Sequence, residues 1–214
     1  MNSPFNTLSA SYDAWYDTPK GQAIFAAEVA CIQALAPTFP GRWLEVGVGT
    51  GRFAAALGLH EGVDPSPDML ALAKKRGINA SQGSADKLPC DTDSYDGLLL
   101  ALTLCFIPDA PPALSECHRV LKPDGTLILG FVPGDTPWGQ LYTAKKEAGH
   151  PIYSAATFHP LASIIAATKA AGFTLRQSAS TLDCPAGEPP PIPAPLHVPA
   201  AATDSFIAMT FTPA

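Results

Sequence analysis

The chain has 214 residues, with 13 Lys and Arg against 19 Asp and Glu, a formal net charge of −6 and a pI near 5.2. That length fits one α/β domain able to bury roughly 70% of its unfolded-chain surface. The acidic balance, without a basic cluster, argues against nucleic acid or an anionic membrane as a partner. The opening Met1-Asn2-Ser3-Pro4-Phe5 has no charged-then-apolar pattern, and the longest apolar run, Leu98 to Ile107, is too short for a bilayer. Cys31, Cys90, Cys105, Cys117 and Cys184 are dispersed without C-x-x-C spacing. They predict reduced packing thiols in a cytoplasmic protein, and no metal site.

Residues 1–18 are polar and aromatic, with Tyr12, Trp15 and Tyr16 close together, and read as a lid rather than core. Thr18-Pro19 predicts a helix start. Phe25, Val29, Ile32 and Ala36 follow at helical spacing until Pro37 and Pro40-Gly41 end the helix. Strands are expected near 42–47, His60 to Asp64 and 78–82. Helices are expected between them, near 51–58 and from Asp68 to Arg76, the second capped by Ser66-Pro67. Lys74-Lys75-Arg76 then suit the dipole at that helix's end.

Residues 83–94 form a loop. Leu98-Leu99-Leu100-Ala101-Leu102 is a continuous apolar run, as a central parallel strand covered on both faces requires. Asp109 is expected to cap a helix with Ala113, Leu114, Cys117, Val120 and Leu121 on one side, and Pro123-Asp124-Gly125 to turn the chain into a strand from Thr126 to Val132. Pro133 to Thr157 has weak periodicity and reads, to about residue 159, as an insertion on the substrate side. A helix from Pro160 to Ala171 precedes strands at Phe173 to Leu182 and Ser205 to Thr212, with a proline-rich surface loop at 185–199 between them. The alternation implies right-handed βαβ units and a Rossmann-like doubly wound α/β sheet in a single domain over 1–214.

Four features fall at the strand ends of that sheet. The loop Gly47-Val48-Gly49-Thr50-Gly51 lies between a buried strand and a helix start, where backbone without Cβ can lie against a ligand. The dinucleotide fingerprint wants its third glycine where this chain has Arg52, which counts against NAD. Asp64 ends the second strand, and a carboxylate there can accept from both ribose hydroxyls or cap the turn Asp64-Pro65-Ser66. The loop Gly83-Ser84-Ala85-Asp86-Lys87-Leu88-Pro89 offers an acid to an exocyclic amine such as adenine N6. Leu102-Thr103-Leu104-Cys105-Phe106 lays an apolar floor with one hydroxyl at the switch-point crevice.

The ordered set LEVGVGTGRF, GVDPSPDML, GSADKLPCDTDSYD and HRVLKPDGTLILGF resembles the class I S-adenosylmethionine-dependent methyltransferases, in particular their type 11 small-molecule branch. The resemblance covers about residues 42–133. It implies a seven-stranded sheet whose last strand is antiparallel, and S-adenosylmethionine as cofactor. It implies that Gly47, Gly49 and Gly51 pass under the methionine part and ribose, and that Glu45 steadies the loop or the cofactor's amino group. Asp64 would hold the ribose, Met69 would pack near the adenine, and Ala85 and Asp86 would meet the adenine edge. Leu102 or Thr103 carbonyls would face the methionyl end, with Tyr12 and Tyr16 folding over the cofactor.

The expected acceptor is a small molecule in a pocket beside the insertion, where Trp138, Tyr142, His150 and Tyr153 are candidate contacts. His150, His159 and Tyr142 are candidates for a base, with a helix N-cap as the competing role of His159. Two other readings stay open: an NAD-dependent dehydrogenase, and a cofactor-binding pseudoenzyme that supports a partner subunit.

Overall fold

The computed structural model describes residues 5–214. The expected lid at 1–18 therefore lies partly outside the described residues. From Phe5 to Trp15 the chain is helical (α1), where the sequence had suggested an aromatic segment without periodicity. The helix covers no core of its own; its rings pack against the mouth of the fold, and only Tyr16, just beyond it, is buried.

Helix α2 (Pro19–Leu35) starts as expected, with the Thr18 hydroxyl accepting from Gly21 N. Its buried stripe is Ile24, Ala27, Glu28, Cys31 and Ile32, whereas Phe25 and Val29 only flank the core and Ala36 lies past the helix end. The nucleotide-type half follows: β1 (Trp43–Val46), α3 (Arg52–Leu57), β2 (Glu61–Asp64), α4 (Pro67–Lys75), β3 (Asn79–Gln82) and β4 (Tyr95–Ala101). Then come α5 (Ala110–Val120), β5 (Leu121–Phe131), α6 (Pro137–Glu147), α7 (Leu161–Ala170), β6 (Phe173–Thr181) and β7 (Phe206–Pro213).

The seven strands form one sheet in the order β3-β2-β1-β4-β5-β7-β6, with β7 antiparallel to both neighbours. In β4, Leu98 and Leu100 join a core under α5 and α7, while Leu99 and Ala101 join the core under α2 and α3. A strand covered on both faces has no polar side to show, which is why its run is continuous.

Three expectations are corrected. Pro123-Asp124-Gly125 does not precede β5 but sits inside it, where the pairing with β4 jumps from Tyr95–Leu121 to Gly97–Thr126. The extra residues are absorbed as an irregularity of the ladder. Asp109 occupies the N-cap position of α5, yet its side chain makes no cap bond there. The weakly periodic segment after Pro133 contains α6, capped by the Thr136 hydroxyl on Gly139 N, and a 3-10 turn at Tyr153–Ala155.

The proline-rich loop is tied to the sheet edge through Asp204, which is fully buried. Its Oδ2 accepts from the Ser180 hydroxyl at 2.7 Å and lies 2.7 Å from His197 Nδ1. No helix among the described residues is long and apolar enough to cross a membrane.

Candidate active site

The chain leaves β1 through three glycines with positive φ: Gly47 at +74°, Gly49 at +51° and Gly51 at +81°. A Cβ on Gly47 would come within 2.2 Å of Thr103 Cγ2, so the loop after β4 presses the first glycine from behind. Gly49 differs: the nearest atom to its missing Cβ is the Gly47 carbonyl oxygen, 4.0 Å away. That open face is where a ligand can lie against the backbone.

Asp64, at the end of β2, ties this loop. Its Oδ2 accepts from Gly49 N at 3.0 Å and its Oδ1 from Ser66 N at 2.8 Å. Burial raises its pKa, against the two N–H groups that lower it. Each carboxylate oxygen retains acceptor capacity beyond one bond. Glu45 is fully buried, and burial pushes its carboxyl well above the usual range although the Ala54 N–H opposes the shift. It accepts from the Ala54 N–H in the first turn of α3, and its Oε2 has no partner among the described residues.

Met69 is buried in the first turn of α4, and its N–H donates to the Ser66 hydroxyl. Asp86 is exposed in a tight turn closed by Ser84 and Lys87, while Ala85 is half-buried against the core. The open cradle at Gly49 and the acid at the end of β2 fit an adenosine-type cofactor with a charged methionine tail.

Arg52, the residue that breaks the dinucleotide fingerprint, has a place of its own. Its Nε donates to Asp13 Oδ1 at 2.8 Å, and its guanidinium reaches Asp17 at 2.9 Å. Arg76 donates to Asp13 Oδ2 at 2.7 Å and to the Thr50 carbonyl at 2.8 Å. Burial pulls the Asp13 carboxyl up, but the two arginines outweigh it and hold the pKa at about 2. Thus α1 is strapped across the glycine loop. Arg76, expected to serve the helix dipole, turns back to make the strap.

At the carboxyl end of β4 lies a cavity of about 320 Å³. Leu102, whose φ is +54°, carries backbone strain at its edge. Tyr12 and Tyr16 stand in its wall, with hydroxyls 2.9 Å apart. Tyr142 of α6 stacks on Tyr153 with centroids 4.7 Å apart. Trp138 is both wall and core: it is almost fully buried, and its Nε1 donates to the Cys184 carbonyl at 3.4 Å.

His150 accepts the N–H groups of Ile152 and Tyr153 on Nδ1, and burial with the nearby Lys145 pushes its pKa down. The N-cap role of His159 is corrected. Pro160 occupies that position, and Asp135 Oδ1 takes the Leu161 N–H at 3.1 Å. His159 lines the cavity instead.

Sequence reasoning missed Glu28. It lines the same cavity at 3% exposure, and its Oε2 has no hydrogen-bond partner among the described residues. Burial pushes its pKa up to about 8. The available signal was an acid four residues from both Ile24 and Ile32, on the stripe that proves to be buried. Among the described residues no group of three or more His, Cys, Asp or Glu could hold a metal ion.

The fold and the glycine-loop edge define a Rossmann-like cofactor-binding domain, and comparison with known proteins narrows the class. A family model described as "Methyltransferase domain" matches residues 44–129. A structurally similar protein is a SAM-dependent methyltransferase of Thermotoga maritima, described as a "possible histamine N-methyltransferase". It has a TM-score of 0.88 and 31% identity, with 98% of this chain and 97% of that one covered. An uncharacterised protein of Mycobacterium tuberculosis is 39% identical over 84% of this chain and 63% of its own length. This chain therefore spans less than two thirds of that relative. A ubiquinone/menaquinone biosynthesis C-methyltransferase of Methylobacterium nodulans is 32% identical over 64% of this chain and 61% of its own length. The chain belongs to the S-adenosylmethionine-dependent methyltransferases. The cofactor that goes with this domain is S-adenosylmethionine, and the dehydrogenase reading gains no support.

Proposed function

We propose that the chain methylates a small molecule bound in the aromatic cavity between α1, α2 and α6. The observation that carries this reading is the cavity itself: about 320 Å³, walled by aromatic rings and opening beside the strained end of β4. That volume suits a metabolite and not a macromolecule. The description of the Thermotoga relative as a possible amine methyltransferase, and that of the Methylobacterium relative as a quinone-pathway enzyme, both fit a small acceptor.

In this reading Gly47, Gly49, Gly51 and Asp64 hold the ribose and methionine portion. Met69, Ala85 and Asp86 flank the adenine, and Leu102 and Thr103 border the methionyl end. Glu45 keeps the loop in place by binding α3. Tyr12 and Tyr16, on the strapped N-terminal segment, fold over the cofactor where it meets the acceptor, with Trp138, Tyr142, His150 and Tyr153 as the acceptor's walls. The bound cofactor supplies an activated methyl group. The protein aligns the acceptor and excludes water, which the strapped α1 and the buried rings favour.

The test is calorimetry with S-adenosylhomocysteine and with NADH, followed by transfer of labelled methyl to a panel of metabolites. Binding of the first ligand alone, with label in a small acceptor, is the expected result. Cofactor binding without turnover on any acceptor would favour the pseudoenzyme.

A further inference from the structure

Three side chains on one stripe of α2 line the cavity: Lys20, Ile24 and Glu28. The eight steps from Lys20 to Glu28 cover about 12 Å along the helix axis. The helix therefore carries a cation at one end of the cavity and an acid at the other, with an aliphatic side chain between them.

Among the described residues neither end is neutralised, and Lys20 donates to the Gly187 carbonyl alone. Lys145, from α6, has its Nζ 5.6 Å from the Tyr142 ring centroid and 5.8 Å from that of Tyr153. Among the described residues neither lysine has a carboxylate partner. Burial and the neighbouring Lys20 together lower the pKa of Lys145, as expected of two cations awaiting an anion. Glu28 is buried in the wall of the cavity that Tyr12, Tyr16, Tyr142 and Tyr153 also line, and its Oε2 has no partner among the described residues. A buried, unpartnered carboxyl costs stability unless something occupies it, and aromatic faces around it suit an ammonium.

We propose that the acceptor is amphoteric: an ammonium group meets Glu28, a carboxylate meets Lys145 and Lys20, and an apolar or aromatic body lies along Ile24. This deepens the methyltransferase reading of the cavity and rests on it. A single charge would satisfy one end and leave the other unpaired, so the cavity selects molecules charged at both ends.

Pairing with an ammonium requires Glu28 to ionise. Its pKa of about 8 makes it mostly protonated at pH 7 in the empty cavity, so binding at that pH releases a proton. Of the other groups facing Glu28, burial raises the hydroxyls of Tyr12, Tyr16, Tyr142 and Tyr153 and pushes Cys31 up to about 12. None of these contributes near pH 7. His150 and His159 stand elsewhere in the wall, so the proton is assigned by comparison with a Glu28 variant.

The test uses the full chain saturated with S-adenosylhomocysteine and three matched probes: 4-(aminomethyl)benzoate, 4-methylbenzylamine and 4-methylbenzoate. The first should bind at least about tenfold tighter than either of the others, a gain of about 1.4 kcal/mol. Glu28→Gln should cost the two amine probes about tenfold and leave 4-methylbenzoate unchanged. Lys145→Met should cost the two carboxylates and spare 4-methylbenzylamine. Calorimetry in buffers of different ionisation enthalpy should show a proton released with the amine probes in the parent protein and not in Glu28→Gln. If that variant fails to fold, the Lys145→Met arm and the parent's preference for the doubly charged probe still decide. Equal affinity for the three probes, or binding of none, overturns the proposal while cofactor binding stands. Failure to bind S-adenosylhomocysteine at the outset overturns the methyltransferase reading instead.

Discussion

The glycine-loop edge and the aromatic cavity are built by opposite means. At the edge, short connections directly after β1 and β2 place backbone N–H groups and one carboxylate. Asp64 is held there by the Gly49 and Ser66 N–H groups, with acceptor capacity left on each oxygen. In the cavity, side chains converge from α1, α2, the end of β4 and α6, and Glu28 Oε2 has no partner among the described residues. The first is made largely by the chain's own backbone. The second is a cavity built from side chains of distant segments, proposed above as the acceptor site. The difference teaches that cofactor binding should be sensitive to backbone geometry, and acceptor handling to side-chain chemistry.

Gly47→Val attacks the edge most directly. A β-branched residue at φ +74°, with Thr103 Cγ2 in its way, should cost about 1–3 kcal/mol from backbone strain alone. It should also abolish S-adenosylhomocysteine binding by calorimetry. Retained binding would mean that the loop does not form the cofactor cradle.

Asp64→Ala is the next largest change. It should weaken S-adenosylmethionine affinity by roughly 1.5–3 kcal/mol, the size of hydrogen bonds to a charged group. Circular dichroism must show an intact fold, because Asp64 also holds Gly49 and Ser66. Unchanged affinity in a folded variant would remove Asp64 from the site.

Tyr142→Phe and Tyr153→Phe approach from the other side and should be nearly silent toward the cofactor. Its affinity should stay within about 0.5 kcal/mol, as for changes away from a binding feature, while turnover on the identified acceptor falls. Loss of cofactor affinity in these variants would erase the distinction between the two regions, and full turnover would move the acceptor elsewhere.

The same division explains what could be read before folding. The Trp43–Val46 strand, its glycine turn and the start of α3 are contiguous, so local sequence carries the whole unit. The buried face of α2 was less legible. With Phe25 and Val29 as well as Ile24 and Ile32 apolar, periodicity alone leaves the angle of the stripe open, and packing against the sheet chooses the side with Glu28. Helix α6 escaped notice because it buries little of its surface, chiefly Trp138 and Gly139. A helix that buries so little leaves no strong apolar period.

By itself the sequence determined the alternation of strands and helices from β1 to β5, the glycine loop and the acid that ends β2, because each depends on neighbours within a few residues. Only tertiary structure decided that Arg52 and Arg76 meet on Asp13, since they lie 39 and 63 positions from it. It alone also brought Glu28 and Lys145 to one cavity. Those meetings depend on how α1, α2 and α6 pack around the carboxyl end of the sheet, and hydrophobic burial, which drives that packing, is non-directional along the chain.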